Sequence, residues 1–278
     1  MRRYLLFLVV SLVLFSCKKE KEVIYPAPPL PPPTTPSTSV LLQDVVVERL
    51  PSPYYHFGYD TAGRISFVSF ASGLNMYDII YNGDKISEMR NNTLVNKDRL
   101  QYEYDTEGRV SAINYANSTG MVYTKVHFAY AGQKLIKLER ERKLGSGFTV
   151  DKTLAMSYYT DGNLMEITYH HPATQFSGQI EFNWVVRFEQ YDDKINTDGF
   201  DLLHSDFFDH LVLLPGVQLQ KNNPRIEIRS GDGDDYTVDY AYTYNDRHAP
   251  LTKTGEFIYT SGPNAGQRFQ TRSLFTYY

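Results

Sequence analysis

The amino-acid sequence predicts an all-β protein: one large antiparallel meander of about 14 strands, strongly curled into a half-barrel or barrel, with a short helix near residues 200–213. Three observations predict it. A tyrosine-led turn motif recurs along the chain, as in "YDTAGRI" at 59–65 and "YDTEGRV" at 104–110. Between the turns, apolar and polar residues alternate with period two. The chain also holds 23 Tyr and 16 Phe, residues that suit a sheet covered on one side, because a tyrosine buries its ring and keeps its hydroxyl wet.

Taken in order, residues 1–16 have the form of a lipoprotein signal peptide. Arg2 and Arg3 precede an apolar run from Tyr4 to Phe15, too short to span a bilayer as a mature helix. The run ends at Cys17, the only cysteine of the 278-residue chain. A lone thiol makes no disulfide framework, and its place at the end of an apolar run marks it for lipidation. Residues 17–39 then read as the lipidated cysteine plus a tether. "KKEKE" at 18–22 is solvated charge, and residues 26–36 carry seven of the fourteen prolines. Such a segment is extended polyproline II, long enough to hold a domain about 60–70 Å from a lipid surface.

Residues 40–278 remain as one β domain. Turn motifs begin at Tyr59, Tyr81, Tyr104, Tyr130 and Tyr159, spaced 22, 23, 26 and 29 residues apart, with looser forms at Tyr191 and Tyr244. That spacing is one hairpin per repeat. Asp60, Asp105 and Asp161 can fold back onto a backbone N–H two residues on, while Gly63, Gly108 and Gly162 supply the left-handed corner, so these six are read as structural turn residues. Arg64 and Arg109 are read as exposed openers of the next strand. The clearest alternation is Ile180, Phe182, Trp184, Val186 and Phe188 sharing one face of a strand at 180–188, and Tyr236, Val238, Tyr240, Tyr242 and Tyr244 aligned in another at 236–244. Further strands are expected at 64–70, 75–81, 99–104, 120–130, 134–142, 151–159, 163–170, 250–260 and 267–277. Leu202, Leu203, Phe207, His210 and Leu211 recur instead at helical spacing.

Chemistry-bearing patterns are few. His170 and His171 are adjacent on a strand and point to opposite faces. His204 and His210, with Asp206 and Asp209, sit on different faces of the expected helix. Asp232, Asp234 and Asp235 in "SGDGDD" are a calcium candidate, but the stretch lacks the length and later glutamate of an EF-hand loop and lies where a Gly-Asp turn is expected. No nucleophile elbow, zinc-protease helix motif or phosphate loop occurs. No cofactor and no catalytic residue is expected. Loss of residues 1–16 leaves 26 basic against 32 acidic residues, a balance that offers nucleic acid no basic patch.

The Tyr-Asp-x-x-Gly-Arg turns resemble the YD repeats of Rhs and teneurin proteins. In order, those hairpins, "YDDKIN" at 191–196, "KNNP" at 221–224 and "YTYND" at 242–246 resemble the DUF4595-type lipoproteins of Bacteroidetes, described as porin-like in fold. The resemblance covers most of residues 45–260. It implies an outer-membrane lipoprotein facing the periplasm or the cell surface, held by its N-terminal lipid, and it implies no reaction. The expected role is a non-enzymatic scaffold or binding surface, with a glycan or an envelope protein as partner. The alternatives are a glycan-binding module using exposed aromatics and a membrane-embedded barrel, the latter disfavoured by charge on both strand faces, as at Lys137, Glu139, Arg140 and Glu141.

Overall fold

The computed structural model describes residues 40–93, 97–173, 180–204 and 210–278; Cys17 and the tether lie outside them. The strands are β1 (Leu42–Val47), β2 (Tyr55–Tyr59), β3 (Ile65–Phe70), β4 (Asn75–Asn82), β5 (Lys85–Asn91), β6 (Arg99–Tyr104), β7 (Val110–Ala116) and β8 (Val122–Ala131). The second half adds β9 (Lys134–Leu144), β10 (Gly147–Tyr158), β11 (Leu164–His171), β12 (Phe182–Tyr191), β13 (Pro224–Gly231), β14 (Tyr236–Tyr244), β15 (Pro250–Tyr259) and β16 (Arg268–Tyr277). Each pairs antiparallel with the next, and β1 pairs with β16, so the meander closes into a barrel.

The expected count of about 14 strands is corrected to 16. An antiparallel meander can close on itself only with an even number of strands. The expected list also lacked β1, β2, β5, β7 and β13, short segments whose alternation is brief or broken.

A recurring bulge explains part of that break. In six hairpins with turns at one rim the register slips by one residue just after the turn, leaving Ser66, Ser87, Ser111, Ile136, Met165 and Leu251 outside the pairing, and β7–β8 skips Tyr123 in the same way at the other rim. The slip reverses the inward phase. Inward residues at the strand start are therefore three apart instead of two: Ile86 and Met89, Val110 and Ile113, Leu135 and Leu138, Leu164 and Ile167, each nearly or fully buried. A bulge bends its strand and raises the local twist, and repeating it at one rim curls the sheet toward closure.

The expected helix over 200–213 is also corrected. Gly199–Leu203 forms a single 3-10 turn, and residues 210–213 have no regular structure; Phe207, Asp206 and Asp209 lie outside the described residues. The physical reason is enclosure. Leu211, Val212 and Leu213 are consecutive and all buried, which a helix with one apolar face does not allow. The described parts of the connection between β12 and β13 that hold Leu203 and residues 211–213 lie inside the barrel, packed on more than one side. The connection reaches opposite walls: Phe200 packs on Phe57 of β2, while the Tyr169 hydroxyl of β11 donates to the Leu202 carbonyl.

Candidate functional site

In an up-and-down barrel, alternate turns share a rim. All the tyrosine-led turns, together with the start of β1 and the end of β16, therefore gather at one end. There a tyrosine from every even-numbered strand donates its hydroxyl to a backbone carbonyl of the preceding odd strand. The pairs run Tyr59 to Leu42, Tyr81 to Ile65, Tyr104 to Ile86, Tyr130 to Val110, Tyr158 to Leu135, Tyr191 to Leu164, Tyr242 to Pro224 and Tyr277 to Pro250, at 2.6–3.0 Å. The ring uses Tyr158 and Tyr242, not the motif tyrosines Tyr159 and Tyr244, which bond to the Phe188 carbonyl and the Asp192 carboxylate.

The turns are built as their residues require. Oδ1 of Asp60 accepts from the N–H groups of Ala62 and Arg64, and Oδ1 of Asp105 from those of Glu107 and Arg109. Gly63 and Gly108 take φ of +76° and +81°. In the turn at 159–163, Asp161 accepts from the Asn163 N–H, and a Cβ on Gly162 would meet Lys221 Nζ at 2.6 Å. In the glycine-free turn at 244–250, His248 itself adopts φ +62°.

The expectation that Arg64 and Arg109 are exposed strand openers is corrected. Each guanidinium pairs with the aspartate of its own turn and lies over the ring tyrosine of the next repeat, Arg64 over Tyr81 at 4.2 Å and Arg109 over Tyr130 at 4.8 Å. Lys85 over Tyr104 and Lys134 over Tyr158 repeat the contact.

Inside the barrel, two cavities among the described residues lie beside the plug formed by the β12–β13 connection. One, of about 180 Å³, is polar and lies against β1 and β14–β16. Asp198 and Asp201 of the plug, Tyr55, Tyr240 and Lys253 line it. Lys253 Nζ donates to Asp198 at 2.9 Å. Burial pulls the Lys253 ammonium down, but Asp198, Tyr242 and Tyr240 outweigh it and hold its pKa well above the usual value. Desolvation inside the barrel, reinforced by Asp198 and opposed by the hydrogen bond from Tyr55, pushes the Asp201 carboxyl up to about 6, while the residue itself stays exposed to the polar cavity, which limits the shift. Here Tyr240 and Tyr236 both donate to Glu227.

The second cavity, of about 400 Å³, is apolar and reaches the tyrosine-ring rim. Phe57, Ile65 and Ile86 form its wall, and Phe200, Val212 and Leu219 its plug side. The exposed turn at 215–218 stands at its edge.

The opposite rim carries the aromatics. Trp184 is covered on both sides, by Tyr169 of β11 stacked at 4.6 Å and by Arg229 of β13 at 5.4 Å. Phe257 sits between Tyr236 and Phe269, each at 4.3 Å, and Phe269 is 40% exposed.

The remaining expected sites are separated. His204 bonds to the Tyr55 hydroxyl at 2.8 Å, and His210 to those of Tyr77 and Tyr123, on different strands. His170 faces Glu181 at 3.2 Å, whereas His171 stacks on Trp184. Asp232 accepts from the Asn183 N–H, Asp234 from the Asn264 amide and Asp235 from the Gly231 N–H. Among the described residues, no group of three or more His, Cys, Asp or Glu side chains is placed to hold a metal. Sequence reasoning missed Asp198, Asp201, Glu227 and Lys253. No short-range pattern marks them, because the plug and the wall are far apart in the chain. The apolar pairs three residues apart after each turn were a usable signal for the bulges.

No protein-family model matches the chain, and no curated protein matches it in sequence. Solved structures do. A porin-like protein from Bacteroides uniformis superposes with a TM-score of 0.56 at 14% identity, over 88% of this chain and 98% of that one. A porin-like protein from Bacteroides vulgatus gives a TM-score of 0.56 at 13% identity, over 86% and 99%. At such identities the shared property is the fold: this chain is an antiparallel β-barrel of the kind found in those porin-like proteins.

Proposed function

We propose that this chain is a cell-envelope lipoprotein of the outer membrane, anchored through Cys17, whose barrel is a water-exposed, plugged, non-catalytic binding body and not a pore. One observation carries this reading: the barrel's outer wall is polar and its lumen is filled with packed side chains of the wall and the plug. Across β5–β9 one outward row reads Glu88, Gln101, Asn114, Lys125 and Glu141. Ion pairs such as Arg187–Glu166, Arg225–Asp239 and Arg268–Glu256 join neighbouring strands on the same outer wall. A lipid-facing wall has the reverse pattern, and Arg or Lys at its midplane costs about 2–4 kcal/mol each. The lumen meanwhile holds the core, with Leu211 of the plug fully buried. The low identity to the porin-like proteins carries fold and not transport, so it does not oppose this reading.

The test is fractionation of the Cys17→Ala variant. Since the outer wall offers lipid no apolar band, the variant is expected in the soluble fraction with an unchanged melting temperature. Pelleting with membranes after a high-salt wash would refute the anchor.

Phe269 favours glycan as the partner over a protein surface. Its ring ends a stack of three, and β1 stops short of it, pairing only as far as Ser273. An aromatic face with one open side suits the C–H face of a sugar. A glycan array is expected to give hits that vanish for Phe269→Ala, and hits that persist in that variant would place any sugar elsewhere.

A further inference from the structure

The apolar cavity, half open at the rim, is a space of about 400 Å³ that the described residues do not fill. We infer that it is a binding site for a small uncharged aliphatic molecule, such as the chain of a neutral lipid or fatty alcohol. The inference concerns residues 40–278 alone and stands whether or not Cys17 carries lipid.

Size is the first ground. About 400 Å³ lies within the range of ligand sites, and the apolar lining left facing water is surface that an aliphatic ligand would cover favourably. The lining chemistry is the second. No charged side chain lines the cavity. Apart from Gln218 at its edge, the polar side chains that line it are already committed to the protein. Asn196 donates to Asp198 and accepts from the Gly199 N–H at 2.8 Å, Gln220 donates to the Tyr191 hydroxyl at 3.1 Å, and Thr197 meets the Tyr277 hydroxyl at 3.2 Å. The Tyr81 hydroxyl is spent on Ile65. A charged ligand would therefore be desolvated with nothing to receive it, whereas an aliphatic chain loses little by leaving water.

Access is the third. Pro215 and Gln218 are exposed at the cavity's edge, and Leu214 and Val217 are half-buried beside them. The turn they form is closed by a hydrogen bond from the Val217 N–H to the Leu214 carbonyl at 3.1 Å. An entering chain thus meets apolar side chains first, and Gln218 is placed to meet a neutral hydroxyl head at the surface.

The experiment uses the neutral fluorophore N-phenyl-1-naphthylamine as probe, with dodecan-1-ol and dodecanoate as competitors. Saturable binding of one probe per chain is expected, displaced by dodecan-1-ol and at least tenfold less well by dodecanoate. Dodecan-1-ol should also raise the melting temperature. Val217→Trp fills the edge from a half-buried position. It should fold with a melting temperature close to that of the parent and bind the probe at least tenfold more weakly. Val212→Trp, deeper in the plug, is a second blocking variant if Val217→Trp is unstable. Absence of saturable binding, equal displacement by the alcohol and the carboxylate, or undiminished binding in a folded blocking variant would each overturn the proposal.

Discussion

At the residue scale, the repeated turn is a small machine with separable parts. Asp105 holds two backbone N–H groups, Gly108 turns the corner, and Arg109 pairs with Asp105 while covering Tyr130 of the next repeat. The glycine's role is conformational and not steric, because a Cβ on Gly108 would meet nothing closer than Lys85 Nζ at 3.5 Å. Gly108→Val is therefore expected to destabilise by about 2 kcal/mol, the strain of a β-branched residue at positive φ. Arg109→Ala is expected to lower the melting temperature measurably but by less, since it removes an ion pair and a ring contact. Thermal melts of both variants check the order. No shift in either would sink the structural reading of the motif, and loss of a binding activity by Arg109→Ala at unchanged stability would assign the motif to function instead.

Single elements of this barrel are held at one rim by two alternating devices. Covalent turns join β2 to β3, β4 to β5 and onward, while tyrosine hydroxyls clasp the intervening pairs, β3 to β4 and β5 to β6 among them. Tyr104→Phe deletes one clasp and leaves the ring packed, so a loss of about 1 kcal/mol in chemical denaturation is expected. Burial disfavours the phenolate and pushes Tyr104 up to about 12, and does the same for Tyr59, Tyr130, Tyr158 and Tyr277, whose O–H groups also donate to carbonyls that a phenolate could not bond. In the unfolded chain a tyrosine titrates near 10. The fold thus holds these protons more tightly than the unfolded chain does. The clasps contribute fully below pH 10 and lose stability as pH rises from 10 to 12. Denaturation midpoints measured between pH 8 and 12 should be flat and then fall steeply. A midpoint still level at pH 12 would contradict the clasp.

Over the whole molecule, the same sheet could be a pore or a solid body, and its filling decides which. The β12–β13 connection occupies the lumen and bonds to walls on several sides, with Tyr102 of β6 donating to the Leu213 carbonyl at 2.9 Å and Tyr55 of β2 engaging His204. Expelling it would strip apolar side chains of their packing and expose Asp198 and Lys253 as separated charges. Planar-bilayer recordings with the purified protein should show no conductance steps. Reproducible steps from wild-type protein would mean that the plug leaves and that the outer wall tolerates lipid.

Much of the architecture was readable before folding, because its causes are local. A hairpin depends on residues within a few positions of each other, so Asp60, Gly63, Asp105 and Gly108 announce their corners, and alternation announces which face is buried. The bulges escaped a strict period-two reading, although four of them leave apolar pairs three residues apart, such as Ile86 and Met89. Closure was not legible, since pairing Leu42 with Tyr277 depends on the summed twist of every strand between them. Nor was the plug, whose leucines suggest a helix when read alone and become irregular core only when a wall surrounds them. The two cavities and the Asp198–Lys253 pair exist only where plug meets wall, and that meeting is decided by tertiary packing between segments that no local pattern connects.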